Sequence, residues 1–179
     1  MRRYYAVLIC LSISHASFSQ EPVVNGWKSF VDTAGKFTAK YPATWVNKIK
    51  ENNRVFFTSP AETEADNFLE NINIHVSQNP VYGNELKIQD MYPSVIDQLK
   101  PSFTDFKLES QRFFKWNNTD ACEIIYTGFN KIDESLKVRL IQWFCFYKTR
   151  LYTLTYTSSA SNTIYRQPAK RIMSSVVFK

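Results

Sequence analysis

The alternation of apolar and polar residues along the chain predicts a protein built mainly from β-strands. Residues 71–77 alternate strictly, which predicts a strand with one buried face and one polar face. Residues 138–147 are largely apolar on both faces, so we expect that strand to lie centrally in a sheet with layers above and below it. Runs bounded by turn residues predict further strands at 30–32, 35–41, 54–58, 106–114, 121–129, 137–148 and 151–158.

Two helices are predicted between and after these strands. The first spans about residues 91–100, where apolar residues recur at helical spacing, with Asp90 as its cap and Pro93 in its first turn. The second is expected to begin near Pro168 and to place Ile172 in the core. An antiparallel sheet covered by helices is a layered α+β domain.

The N-terminus has the three parts of a secretory signal peptide over residues 1–19. Two arginines precede a short apolar run, and a small-x-small cleavage site precedes Gln20; an alternative site at Ala16 leaves the mature start open by a few residues. The apolar run is shorter than the roughly 20 residues that span a bilayer. We therefore expect a single domain at 20–179, exported to the periplasm or outside the cell, with no transmembrane segment.

Charge and composition narrow the class of partner. The formal net charge of +6 falls to +4 without the signal peptide, because that segment carries two arginines and no acid. No run of five or more basic residues occurs, so nucleic-acid binding is not expected. An aromatic content of 16% with only four glycines is typical of a well-filled globular core.

The segment Phe37–Trp45 combines a short strand, a proline stop and an aromatic anchor. A turn at Asp32–Gly35 precedes it; aspartate suits such a turn because it hydrogen-bonds local backbone, and glycine because it tolerates a positive φ. Pro42 removes a donor from the strand ladder, so the strand is expected to end there. Trp45 is expected to bury its ring beneath the following connection.

This segment and the order of elements resemble the PsbP/Mog1-like family. The pattern is Phe37-x-x-x-Tyr41-Pro42-x-x-Trp45, followed by strands similar to Asn71–Ile74 and Tyr152–Tyr156 and a hydrophobic tail at Ser175–Phe178. The resemblance covers about residues 28–179 and implies an α-β-α sandwich around a central antiparallel sheet. It implies that Phe37, Tyr41, Pro42 and Trp45 are structural residues that mark the fold. The fold serves binding and accessory proteins more often than enzymes.

Catalytic groups are scarce. His75 is the only histidine left after the signal peptide is removed, and its position on a polar strand face is typical of a surface residue. No Gly-rich phosphate loop and no C-x-x-C pair occurs. We therefore predict no catalytic, cofactor-binding or metal-binding residues and no cofactor.

Two cysteines, Cys122 and Cys145, leave a disulfide open. If the Phe129–Lys137 connection folds symmetrically about Asp133-Glu134, the two cysteines face each other on adjacent antiparallel strands, within disulfide range. An exported compartment allows the bond. A one-residue change in register would instead turn the two side chains to opposite faces, and free cysteine is a common core residue.

An acidic loop, Glu62–Glu70, lies between two predicted strands. Its oxygen ligands suit calcium, but it lacks the regular spacing and glycine of an EF-hand, and a solvated loop is the simpler interpretation.

Three functional hypotheses follow. The first is an exported, non-enzymatic binding or accessory protein that contacts a protein partner in the cell envelope. The second is a carrier of a small or lipid-like ligand, which requires an apolar pocket of about 300 Å³ or more between sheet and helix. The third is a hydrolase using carboxylates such as Glu62 or Asp66, which requires two acids that converge in a cleft.

Overall fold

The computed structural model describes residues 26–50, 54–78 and 87–179, and these form ten strands and two α-helices. The predicted signal peptide, residues 1–19, lies outside the described residues. The strands are β1 (Trp27–Asp32), β2 (Phe37–Pro42), β3 (Val46–Lys50), β4 (Arg54–Thr58), β5 (Asn71–Gln78), β6 (Phe103–Trp116), β7 (Thr119–Asn130), β8 (Asp133–Tyr147), β9 (Arg150–Ser159) and β10 (Val177–Phe178). The helices are α1 (Ile88–Leu99) and α2 (Arg166–Ser174).

A seven-stranded antiparallel sheet forms the middle layer, in the order β3-β4-β5-β9-β8-β7-β6. Helix α1 covers one face. The other face is covered by α2 and by a small antiparallel sheet in the order β1-β2-β10. The predicted antiparallel α+β sandwich is therefore confirmed, with a three-stranded sheet added to the layer of α2. No helix of the described residues is long and apolar enough to cross a membrane.

Strand β8 shows why the sheet needs two covering layers. Leu140 and Phe144 belong to the hydrophobic cluster under α1, whereas Ile141, Trp143 and Cys145 belong to the cluster under α2. The apolar pattern on both faces predicted this interior position, and β8 lies between β9 and β7. Burying both faces removes a large apolar area from water, which is the main favourable contribution to folding.

The structure buries the four fold-marking residues on the α2 side of the sheet. Phe37, Tyr41 and Trp45 are 0%, 6% and 2% exposed, and Pro42 is the last residue of β2. Trp45 packs edge-on against Tyr165, with ring centroids 5.7 Å apart. These side chains join the small sheet, α2 and the main sheet into one core.

Helix α1 begins earlier than expected. It starts at Ile88, so Asp90 lies in the first turn and is not the cap, and Pro93 lies in the second turn, not the first. The predicted start at residue 91 is too late, because the apolar stripe extends one turn further towards the N-terminus, to Ile88, which is 2% exposed. The short edge strand β3 was not predicted, because all five of its residues are exposed and carry no buried face.

The turn after β1 forms as predicted in one respect and differs in another. The Gly35 N–H donates to the Asp32 carboxylate at 2.8 Å, as expected. The positive φ falls on Lys36 (57°) and not on the glycine. Gly35 is needed for space, because a Cβ there would lie 2.6 Å from Asp32 Oδ2 and 2.9 Å from Phe37 Cε1.

Of the two registers left open for the cysteine strands, the one shifted by one residue from the symmetric pairing forms. Cys122 lies opposite Phe144 and Cys145 lies opposite Ala121, because a bulge after Phe129 shifts the pairing near the turn. The shift places Cys122 under α1 and Cys145 under α2, on opposite faces of the sheet. Both are free, buried thiols, so the structure contains no disulfide between them.

Candidate functional site

The two ends of strand β9 open into clefts of opposite charge. At the Ser159 end, the loop between β4 and β5 and the segment after β9 enclose a volume of about 730 Å³. We call this the acidic cleft; its principal lining residues are Glu62, Asp66, Phe68, Glu70, Leu136, Asn162 and Ile164. None of its described lining residues is cationic.

Asn162 holds two of these carboxylates together. Its side-chain amide donates to Glu62 Oε1 at 2.5 Å and to Glu70 Oε1 at 2.8 Å, so the two acids converge on one donor. Its side-chain oxygen, Oδ1, accepts the Ile164 N–H at 2.9 Å. The second oxygen of Glu70 accepts from Ser59 Oγ at 3.4 Å. A single asparagine thus fixes the spacing of the acids.

Asp66 orders the acidic loop from within. One carboxylate oxygen accepts the Glu62 N–H at 3.0 Å, and the other accepts the Phe68 N–H at 3.1 Å. Short local bonds of this kind are a common way for aspartate to fold a turn. The loop is therefore preorganised before any ligand arrives.

Glu70 is the buried member of the group, with 1% of its surface exposed. Burial raises the pKa of Glu70, and the charges of Glu62 and Asp66 raise it further. Glu62 and Glu64 are exposed. The acidic loop was expected to be solvated. Glu64 is solvated, whereas Glu62, Asp66 and Glu70 line the cleft.

The fold-marking tryptophan supports this cleft indirectly. Tyr165, which packs against Trp45, donates its hydroxyl to the Pro60 carbonyl at 3.3 Å. Burial raises the pKa of Tyr165, and the acids of the cleft raise it further. The core that identifies the fold therefore holds the start of the acidic loop in place.

At the Arg150 end of β9, the β1–β2 and β8–β9 turns enclose a second volume of about 520 Å³. We call this the basic pocket; its charged lining residues are Asp32, Lys36, Lys148, Arg150 and Lys179, and Tyr147 and Tyr152 form part of its wall. Sequence reasoning did not find it, because its cations come from three separate segments and no basic run marks them.

Two of the lysines in the basic pocket sit on left-handed backbone. Lys36 has φ of 57° and Lys148 has φ of 54°, a region that favours glycine and costs other residues about 1 kcal/mol. Lys148 lies in the two-residue loop between Tyr147 and Arg150. Two-residue hairpin loops usually carry a glycine, asparagine or aspartate where φ is positive, and this chain has Lys148 at that position.

A third volume, about 440 Å³, lies between α1 and the sheet. We call it the α1 groove; its apolar lining residues are Met91, Val95, Phe144, Phe146 and Leu151, and glutamines, serines and a threonine complete it. Its size meets the requirement set for a small-ligand carrier.

The remaining candidate groups are placed apart from these clefts. His75 is half-buried on β5, and burial lowers its pKa, as does Arg54. Burial raises the pKa of Cys122 to about 11 and that of Cys145 to about 12, so neither is a ready nucleophile. Among the described residues, no three His, Cys, Asp or Glu side chains are placed to hold a metal ion.

A further buried acid, Glu123, belongs to the core. Burial raises its pKa, but hydrogen bonds from Arg112 Nε at 2.6 Å and Trp143 Nε1 at 2.5 Å outweigh burial and lower it overall. Arg112 also lies over the Phe114 ring at 4.7 Å. Both carboxylate oxygens of Glu123 accept these hydrogen bonds, and Glu123 lines none of the three clefts.

Solved structures share this architecture. PA94, a protein of unknown function from Pseudomonas aeruginosa, matches over 87% of this chain and 99% of its own, with a TM-score of 0.61 and 15% identity. The Ran-binding protein Mog1p of Saccharomyces cerevisiae matches over 86% and 95%, with a TM-score of 0.59 and 9% identity. Cyanobacterial PsbP from Synechocystis sp. PCC 6803 matches over 86% and 92%, with a TM-score of 0.59 and 12% identity.

No protein-family model matches the sequence, and the comparison with curated proteins finds no match. At identities of 9–15%, the likeness to solved structures shows the fold. The resemblance seen in Phe37–Trp45 is confirmed at that level: the chain has the PsbP/Mog1-like fold.

Proposed function

We propose that this chain is an exported, non-enzymatic binding protein of the cell envelope, and that its acidic cleft receives a basic group of a protein partner. One observation carries the proposal: Glu62, Asp66 and Glu70 converge on one cleft that has no cationic lining residue among those described. A cluster of like charge in a concave surface attracts and orients a partner of opposite charge.

The cleft also suits the shape of a basic side chain. Phe68, Leu136 and Ile164 supply apolar wall beside the acids. Lysine and arginine have apolar stems and charged heads, so such a wall can bury the stem while Glu62 meets the head. Because Asn162 and Asp66 already hold the loop, little ordering cost is left for binding.

The same contacts favour binding over hydrolysis. A hydrolase that works through carboxylates needs one carboxylic acid that can reach the substrate and a second carboxylate beside it. Glu70 has the raised pKa that an acid would need, but it is 1% exposed and both of its oxygens accept hydrogen bonds. Both oxygens of Asp66 bond backbone N–H groups. These carboxylates position the loop and leave Glu62 as the accessible charge.

Support for a protein partner and for export comes from different sources. The structural neighbour Mog1p is a Ran-binding protein, so the fold is compatible with protein binding. Export is supported by the signal-peptide pattern of residues 1–19. Cell fractionation and N-terminal sequencing test it directly: we expect a mature protein that begins near Gln20, and an unprocessed cytoplasmic chain would contradict export.

Charge reversal at the mouth of the acidic cleft tests the binding proposal. The tagged protein is cross-linked in intact cells and its partners are identified for wild type, E62K and E64K. Glu64 is the matched control, since it is exposed in the same loop but does not line the cleft. We expect E62K to recover the partner about tenfold less than wild type, and E64K to recover it normally.

Two outcomes would contradict this proposal. One is that no partner is recovered reproducibly from the envelope. The other is that E62K and E64K behave alike, since a general effect of loop charge would then replace a role of the cleft. Circular dichroism of each variant shows whether it is folded.

A small-ligand carrier is the second candidate, and the α1 groove favours it. Val95 and Phe144 face a volume of about 440 Å³, within the range of ligand pockets. Native mass spectrometry of protein purified from its own envelope should then show an additional bound mass, lost in V95W, which fills the groove. A mass equal to the bare chain would remove this candidate.

A further inference from the structure

The basic pocket has no role in the proposal above, and its chemistry is the opposite of the acidic cleft. Four cationic side chains surround it: Lys36, Lys148, Arg150 and Lys179. Within the described part of the chain, none of the four takes part in an ion pair. Like charges brought together without ion-pair partners repel one another, and a bound anion would relieve that repulsion.

The single acid among the described lining residues is already used. Asp32 is 8% exposed, and its Oδ1 accepts the Gly35 N–H at 2.8 Å. It caps the β1–β2 turn that carries Lys36. Four cationic side chains against this one acidic side chain leave the pocket with an excess of positive charge.

The walls are fixed by hydrogen bonds that leave donors for a ligand. Arg150 donates one Nη1 hydrogen to the Ala34 carbonyl at 2.7 Å, which ties the β8–β9 turn to the β1–β2 turn. Its guanidinium carries five N–H groups, so further donors remain. Tyr152, which is 0% exposed, donates its hydroxyl to the Gly35 carbonyl at 3.0 Å and holds the same turn from below.

Backbone conformation adds independent support. Lys36 and Lys148 both adopt positive φ, and each belongs to one of the two turns that form the pocket. Unfavourable backbone conformations concentrate at functional sites, where the side chain is needed at that position. Of the five described non-glycine residues with a positive φ, these two carry the same charge and line the same cavity.

We propose that the basic pocket binds a soluble small molecule through a phosphate group. Three lysines and one arginine match a dianion, and arginine pairs with phosphate oxygens through two parallel N–H bonds. The volume of about 520 Å³ has room for more than the phosphate, and the Tyr147 ring with Val31 gives the rest of the molecule an apolar wall.

Titration of the isotope-labelled protein with inorganic phosphate and with glycerol 3-phosphate tests the site. We expect amide NMR signals of the two turns to shift in a saturable way, and the affinity to fall as salt is added. K36Q/K148Q should weaken binding about tenfold or more. The control K48Q/K107Q removes the same charge from exposed lysines that line none of the three clefts, and it should bind as wild type does.

A second variant separates loss of the site from loss of the fold. K148G removes the charge and places the residue best suited to φ of 54°. It should fold at least as well as wild type and still bind glycerol 3-phosphate more weakly. A K148G protein that binds normally would overturn the role of Lys148.

Vesicles distinguish a free phosphate from a lipid headgroup. Sedimentation with phosphatidylglycerol–phosphatidylcholine vesicles is compared with binding of glycerol 3-phosphate. Binding to vesicles without binding to either soluble phosphate would overturn the proposal, as would equal weakening by K48Q/K107Q. The proposal is supported if the soluble phosphates shift the amide signals of the two turns and the vesicles do not.

Discussion

The acidic cleft and the basic pocket lie at opposite ends of strand β9, whose ten residues span about 30 Å. Each brings side chains of like charge together, but the two differ in what those charges contact. In the acidic cleft the charges are held by hydrogen bonds: Asn162 bridges Glu62 and Glu70, and Asp66 bonds backbone N–H groups. In the basic pocket the four cations form no ion pair among the described residues.

This difference separates stability from binding. Polar groups that are satisfied inside the protein contribute to the folded state, and removing one of them leaves a buried partner unpaired. Cations that face a cavity contribute little to folding, and removing one of them affects the ligand first. We therefore expect substitutions in the acidic cleft to destabilise the chain, and substitutions of the basic-pocket lysines to leave it as stable or more so.

The largest expected effect is that of N162A. The substitution removes the donor shared by Glu62 and Glu70 and leaves the buried Glu70 oxygen without that bond, so we expect a loss of about 2 kcal/mol in the free energy of unfolding. Urea unfolding at neutral pH measures it. N67A is the control, since Asn67 is an exposed residue of the same cleft. Equal losses would show that Asn162 is not the bridge.

Y152F makes the matching test at the other end. Tyr152 supports the β1–β2 turn with its neutral hydroxyl, which lies 3.0 Å from the Gly35 carbonyl and 3.4 Å from the Lys36 carbonyl. Its single proton is shared between these two acceptors, so its loss should cost about 1 kcal/mol, less than N162A. Y147F is the control, because Tyr147 lines the same pocket and its hydroxyl makes no hydrogen bond among the described residues. A larger loss for Y152F than for N162A would reverse the comparison of the two ends.

Much of the sheet can be predicted from local sequence patterns, but the geometry of the two clefts cannot. The apolar faces of β8 follow from side-chain alternation, and the packing role of Trp45 follows from its place after Pro42. Register is less accessible, because the bulge after Phe129 depends on how a turn closes. The resulting one-residue shift in register places Cys122 and Cys145 on opposite faces of the sheet.

The clefts depend on contacts between distant parts of the chain. Glu70 and Asn162 are 92 positions apart, and they meet only because β5 pairs with β9. The acidic loop was visible in the sequence as a charge cluster, whereas its bridging asparagine gave no local signal. Lys148 was equally hidden, since a lysine at a positive φ contradicts the usual preference for glycine.

K148G sharpens the comparison from the basic side. Glycine relieves the unfavourable φ of 54°, but it also adds freedom to the unfolded chain, so we expect a gain of only about 0.5 kcal/mol. T149G is the control in the same two-residue loop. Thr149 does not have a positive φ, so glycine there should destabilise the chain by about 0.5 kcal/mol. Thermal unfolding of both variants measures the difference, and two losses of equal size would show that Lys148 is not strained.

The smallest expected effect is on the pH dependence of stability, and it belongs to Glu70. Because its pKa is raised in the folded chain, folding binds a proton between the ordinary carboxyl pKa and the raised one, and stability falls as the pH rises through that window. E70Q has no such proton, so its stability relative to wild type should increase as the pH rises from the ordinary carboxyl pKa of about 4 through the raised pKa of Glu70. Urea unfolding at several pH values measures this, with E64Q as the control. A difference between E70Q and wild type that stays constant with pH would show that folding does not change the pKa of Glu70. The acidic cleft would then hold no unfavourable negative charge for a basic partner to neutralise.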